Sequence, residues 1–103
     1  MPTVTTVTVA ELRAALGAGA TVIDVREPYE YAAGHIPGAR LVPLMTVPSV
    51  VEELRSDRPV YLVCAVGARS AQAAAYLARL GVDAVNVAGG TVEWATAGYP
   101  LET

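Results

Sequence analysis

A chain of 103 residues has room for one hydrophobic core, so residues 1–103 are expected to form a single domain. Hydrophobic residues make up 53%, and no apolar run approaches the roughly 18 residues a membrane helix needs. The net charge is −3 and the seven basic residues, all arginine, are scattered, so there is no basic stripe for nucleic acid.

The opening segment "MPTVTTVTVAEL" lacks a basic stretch followed by an apolar block, so no secretory signal is expected. Within it "TVTTVTV" predicts a first strand, and "VAELRAALGAG" a short helix ended by glycine. "TVIDVR", Thr21 to Arg26, predicts a second strand, apolar enough to be covered on both faces. In "EPYEYAAGHIPGA" the residues Pro28, Gly34, Pro37 and Gly38 predict turns. "RLVPL" predicts a third strand, and "PSVVEELRS" a helix with Pro48 at its start and Ser49 as its cap. "PVYLVC" is the fourth strand. Ala73, Tyr76, Leu77 and Leu80 then recur at helical spacing on one apolar face, closed by Gly81. "DAVNVAGG" is the fifth strand and "TVEWATAG" a last short helix. Strands alternating with helices predict an α/β fold: a five-stranded, mostly parallel sheet with helices on both faces.

Cys64 is the single cysteine, so no internal disulfide can form, which fits a reducing cytoplasm. With one histidine as well, metal sites built from cysteines or paired histidines are excluded. A lone cysteine in a strand is most often a small buried hydrophobe. Cys64, however, ends the fourth strand, and reactive sites of open parallel sheets lie at the carboxyl ends of strands. Ala65, Val66, Gly67 and Ala68 form a loop of small residues in which Gly67 can take a positive φ. Such a loop can turn its N–H groups inward at the N-terminus of the next helix and favour an anion. A thiolate there would have a lowered pKa and act as a nucleophile. Arg69 is expected either to contact a bound anion or to pin the loop to a carboxylate.

The segment "CAVGARS" resembles the active-site loop Cys-x-x-Gly-x-Arg-Ser of rhodanese-like sulfurtransferases. "VIDVREPYEYAAGHIPGARLVPL" resembles the family's Asp-x-Arg, Glu-Tyr and Gly-His-Ile-Pro-Gly-Ala signature, and "VNVAGGTVEWATAGYP" its closing Gly-Gly and Trp segment. The three matches lie in order from Val22 to Pro100 and resemble the stand-alone, single-domain form. The resemblance implies a rhodanese-like three-layer fold and a ping-pong sulfur transfer. Cys64 would take a sulfane sulfur from a donor such as thiosulfate, hold it as a persulfide, and pass it to cyanide or a thiol. The main-chain N–H groups of Ala65, Val66, Gly67, Ala68, Arg69 and Ser70 would cradle that sulfur, with no metal or organic cofactor. Phosphatases and arsenate reductases of the same fold carry five residues between Cys and Arg, whereas this chain has four, a spacing better sized for one sulfur atom. A non-catalytic docking or sulfur-carrier module is the other alternative, although an inactive docking member is expected to lack the cysteine. Family members that use thiosulfate often carry polar or basic side chains in the loop. Ala65, Val66 and Ala68 depart from that pattern, which makes a protein or small-molecule persulfide a competing donor.

The other residues carry mainly structural expectations. Asp24 and Arg26 are expected to brace turns. Glu30 is open between a solvated carboxylate and a partner for Arg69 or Arg26. His35 invites a Cys-His pairing, but the resemblance places it in a structural turn. Gly89 and Gly90 are expected in a sharp strand-to-helix turn, Trp94 in the core, and Met45 and Tyr99 in packing.

Overall fold

The computed structural model describes residues 4–56 and 58–103. Five strands form one sheet: β1 (Thr5–Val7), β2 (Thr21–Asp24), β3 (Arg40–Leu41), β4 (Val60–Val63) and β5 (Ala84–Val87). Their order is β1-β5-β4-β2-β3 and every pairing is parallel. The helices are α1 (Val9–Gly17), α2 (Pro28–Ala33), α3 (Val51–Leu54), α4 (Ala68–Arg79) and α5 (Gly90–Thr96), with a 3₁₀ helix, Leu44–Val50, leading into α3. No helix among the described residues is long and apolar enough to cross a membrane.

The expected α/β architecture is present, and its two covered faces follow from the period-2 side-chain alternation of the strands. Val60 and Leu62 of β4, with Ile23 of β2 and Ala84 of β5, face a cluster completed by Val51 and Leu54 of α3 and Ala73, Ala74 and Leu77 of α4. Val63, Val22 and Val87 face the other way, against Val9 and Leu12 of α1 and Trp94 of α5. Cys64 continues the Val60–Leu62 side and belongs to the α4-facing cluster.

Several local expectations are corrected. The segment taken as turns contains α2. Pro28 sits in its first turn, where a missing N–H costs nothing, and the Glu30 side chain accepts from Glu27 N at 3.0 Å. The third strand stops at Leu41, because Pro43 offers no N–H to a ladder. Pro48 and Ser49 lie inside the 3₁₀ helix, and Ser49 donates to Thr46 O at 2.7 Å rather than capping α3. The buried face of α4 is Ser70, Ala73, Ala74 and Leu77, with Tyr76 beside it and Leu80 exposed. Of the first predicted strand, Thr3 lies outside the described residues.

Asp24 and Arg26 close β2 as a buried ion pair. Arg26 Nη2 donates to Asp24 Oδ2 at 2.9 Å, Arg26 Nε and the Arg26 N–H each donate to Asp24 Oδ1 at 3.0 Å, and Nη2 also donates to Gly34 O at 2.9 Å. The pair therefore ties the end of β2 to the segment after α2, the bracing role expected of it. Arg26→Met strands a buried carboxylate and is expected to cost about 3–5 kcal/mol. Removing the exposed Arg40–Glu53 pair by Arg40→Met is expected to cost far less, because solvent screens both charges. Urea unfolding of the two variants side by side measures the difference.

Candidate active site

β4 delivers Cys64 to the carboxyl edge of the sheet, between β2 and β5. The loop after it is shaped by what happens to its carbonyls. Cys64 O accepts from Thr91 N at 2.9 Å and from Thr91 Oγ1 at 3.1 Å, and Ala65 O accepts from Val92 N at 3.0 Å. The first turn of α5 thus satisfies its own orphan N–H groups on the two carbonyls. This close approach requires a glycine. A Cβ on Gly90, whose φ is +58°, would lie 2.4 Å from Cys64 O and 2.6 Å from Ala65 O. The expected Gly89-Gly90 turn is present, and its second glycine makes the contact.

Ala65 O and the Val66 N–H share one peptide plane, so turning that carbonyl to α5 turns the N–H toward the sulfur, and two further N–H groups join it from the start of α4. Gly67, at φ +107° immediately before α4, donates its N–H to Cys64 Sγ at 3.1 Å. Ser70, fully buried on α4, places Oγ 3.4 Å from Sγ and 2.7 Å from Asn86 Oδ1 on β5. Burial pushes the Cys64 thiol up, but the Ser70 hydroxyl and the N–H groups of Ser70, Gly67 and Val66 pull it down further. The net result lies below the ordinary thiol range.

Of the predicted loop residues, Val66, Gly67 and Ser70 act on the sulfur, and Ala65 acts through its carbonyl on α5. Ala68 opens α4, and its side chain is exposed. Arg69 takes the second of its two expected roles. Its Nη1 and Nη2 donate to Glu30 Oε1 and Oε2 at 2.7 and 2.9 Å, pinning the loop to α2. The Arg69 hydrogen bonds, then the Glu27 N–H, hold the Glu30 carboxyl down to about 2. Arg69 is correspondingly held above its ordinary value by Glu30.

His35 stacks on Tyr31 at 3.7 Å, holds Tyr31 O through Nδ1 at 3.0 Å, and pairs its backbone with Glu102. It belongs to a structural turn. Trp94 is buried with Nε1 donating to Pro100 O at 2.7 Å, and Tyr99 packs edge-on against it. Met45 is not packing, being 87% exposed. Three contributors were not singled out from sequence: Asn86, Thr91 and Val92. For the last two, the Gly-Gly before them is a signal of close backbone approach.

Gly90→Ala is expected to destabilise the fold by roughly 2–4 kcal/mol, combining a strained φ with backbone overlap, and to slow alkylation of Cys64 as the loop shifts. Gly98→Ala, also at positive φ but in open space, is expected to cost only about 1–2 kcal/mol. Chemical denaturation and iodoacetamide labelling separate the two. The Glu30 carboxyl has a folded-state value below that of the unfolded chain, so its pairing stabilises fully above about pH 5 and fades as pH falls toward 2. Glu30→Gln is accordingly expected to flatten the loss of stability across that window, read from urea midpoints at successive pH values.

The chain is similar to known proteins in sequence and fold. The model of the rhodanese-like domain matches residues 8–97. A sulfurtransferase of Allochromatium vinosum is 42% identical over 81 residues, covering 78% of this chain and 76% of that protein. A thiosulfate sulfurtransferase GlpE of Pseudomonas putida is 43% identical over 86 residues, covering 82% of this chain and 77% of that protein. The crystal structure of a rhodanese-related protein from Thermoplasma volcanium superposes with a TM-score of 0.88 at 35% identity, over 95% of this chain and 97% of that one. The chain belongs to the rhodanese-like domain family.

Proposed function

We propose that this protein is a sulfurtransferase of the single-domain type, with Cys64 as the group that carries the sulfur. The observation that best supports this is the convergence on Cys64 Sγ of loop N–H groups, with Gly67 N at 3.1 Å, while the loop's carbonyls are turned away to α5. Donors fixed in that way stabilise negative charge on sulfur without reorganising. The relatives named as sulfurtransferases support the same reading.

In the first step the Cys64 thiolate attacks the outer sulfur of a donor. For thiosulfate, a new S–S bond forms to Sγ as the old one breaks, and sulfite leaves with the electron pair. The persulfide's terminal sulfur then carries its charge in the cradle of Val66, Gly67 and Ser70. In the second step an acceptor attacks that terminal sulfur. Cyanide leaves as thiocyanate, or a thiol leaves as a persulfide, and the Cys64 thiolate returns. Each step is a displacement at sulfur that needs no other redox partner.

The donor follows from the charge around the loop. Arg69 is the loop's one cation, and Glu30 neutralises it through both oxygens. Ala65, Val66 and Ala68 add no charge, and the net charge of −3 offers a dianion no steering. A persulfide on a protein or small thiol is therefore the favoured donor, with thiosulfate a poor one. Localisation in a reducing cytoplasm is consistent with a single functional thiol.

Incubation with thiosulfate or a low-molecular-weight persulfide is expected to add one sulfur to the intact mass, removed by cyanide as thiocyanate and absent in Cys64→Ala. With thiosulfate, kcat/KM is expected not to fall between about 0.05 and about 0.5 M ionic strength, because Glu30 neutralises the loop's arginine. Failure to gain sulfur from any sulfane donor would favour a docking module, and Cys64-dependent hydrolysis of an aryl phosphate would favour a phosphatase.

A further inference from the structure

Asn86 is the one polar side chain in β5, where all four residues are buried. It pairs with Leu62 in the sheet register and, two residues beyond Ala84, faces α4. An amide buried there is costly unless it is hydrogen-bonded, and Ser70 Oγ, 2.7 Å from Oδ1, is the partner that satisfies it. Ser70 is itself fully buried, and its hydroxyl has a single proton. Two acceptors compete for that proton: Asn86 Oδ1 at 2.7 Å and Cys64 Sγ at 3.4 Å. The shorter contact is an ordinary strong O–H···O bond.

We propose that Asn86 is a positioning residue for Cys64, holding the Ser70 proton away from the sulfur so that the Ser70 oxygen presents a lone pair to the thiol. In that arrangement Cys64 S–H donates to Ser70 Oγ, which donates to Asn86 Oδ1, and the chain of bonds stabilises the protonated sulfur. When the thiol ionises, the Ser70 hydroxyl turns to donate to the thiolate and its bond to Asn86 breaks. Asn86 thus opposes, through Ser70, the ionisation that the main-chain N–H groups promote. Arg69 attracts the Cys64 thiolate, but among the described residues no charged group bonds the Ser70 hydroxyl. Arg69 on α4 is held by Glu30 on α2, Arg26 by Asp24 at the end of β2, and Glu93 on α5 folds back beside Gly89.

The test reads the sulfur directly and does not depend on sulfur transfer, so it can fail independently of the proposed activity. The rate of Cys64 alkylation by iodoacetamide is followed against pH in the folded wild type, Asn86→Ala, Asn86→Leu, Ser70→Ala and the Ser70→Ala/Asn86→Leu double variant. Asn86→Leu keeps the volume of the site where alanine leaves a cavity. The alkylation midpoint is expected to move down by about one pH unit when Asn86 is replaced, giving roughly tenfold faster labelling on the acid side, and not to move when Ser70 is already alanine. An unmoved midpoint, an upward shift, or an equal downward shift in the Ser70→Ala background would each overturn the proposal. A merely structural role for Asn86 would change the urea midpoint without making the pH midpoint depend on Ser70.

Discussion

Two carbonyls at the end of β4 must be satisfied, and the first turn of α5 satisfies them. Thr91 N takes Cys64 O and Val92 N takes Ala65 O, each at about 3 Å. One contact settles the orphan N–H groups of a helix and the orphan carbonyls of a loop together. It also turns the Ala65–Val66 peptide plane, so that the Val66 N–H at its opposite end faces Sγ. Gly90 is required because the two backbones meet where a Cβ would stand. The cradle around Cys64 is therefore fastened by a helix more than twenty residues further along the chain. The parallel pairing of β4 with β5 is what brings that helix to the cysteine.

The same economy governs the charges. Arg26 and Asp24 neutralise each other in the interior, and Arg26 also holds Gly34 O. Arg69 and Glu30 join α4 to α2 through two parallel hydrogen bonds. Each arginine near the sulfur is used to fix one segment to another, and neither is left facing an incoming anion. This explains the apolar character of Ala65, Val66 and Ala68: main-chain N–H groups supply the positive ends of the site, and the side chains need only be small. Val66 points outward, 63% exposed, while Cys64 beneath it is 1% exposed.

Much of this was legible in the sequence because it is local. The alternation of Val-rich runs with helical stretches gives the sheet, and the strand-Cys-Gly-Arg-helix order gives the loop. Where the reading failed, two signals competed at one residue. Pro28 breaks a strand and also starts a helix, and only Glu30 three residues after Glu27 distinguishes the cases. Leu80 fits the helical period of Ala73 and Leu77 but falls just past the end of α4, where it is exposed. The site's remaining contributors were less legible for a different reason. Glu30 was open as a partner for Arg69 or Arg26, and it meets Arg69 across 39 positions; Asn86, which meets Ser70 across 16, was not singled out. No local pattern reports such pairs, since they depend on β5 and β2 flanking β4 on opposite sides.

The acidity of Cys64 is best understood as a compromise rather than a maximum. A thiol of lower pKa is more fully ionised but intrinsically less nucleophilic, so the best attacking sulfur has a pKa near the ambient pH. A loop that aimed every donor at Sγ would overshoot, giving a stable thiolate that attacks slowly and leaves readily. Burial among apolar neighbours raises the thiol, and the N–H groups of Ser70, Gly67 and Val66 lower it. The Ser70 hydroxyl is the one adjustable member of the set, because it alone can rotate between two acceptors. A fixed backbone cradle thus sets a coarse acidity, and a single rotatable hydroxyl is the means by which neighbouring side chains can refine it.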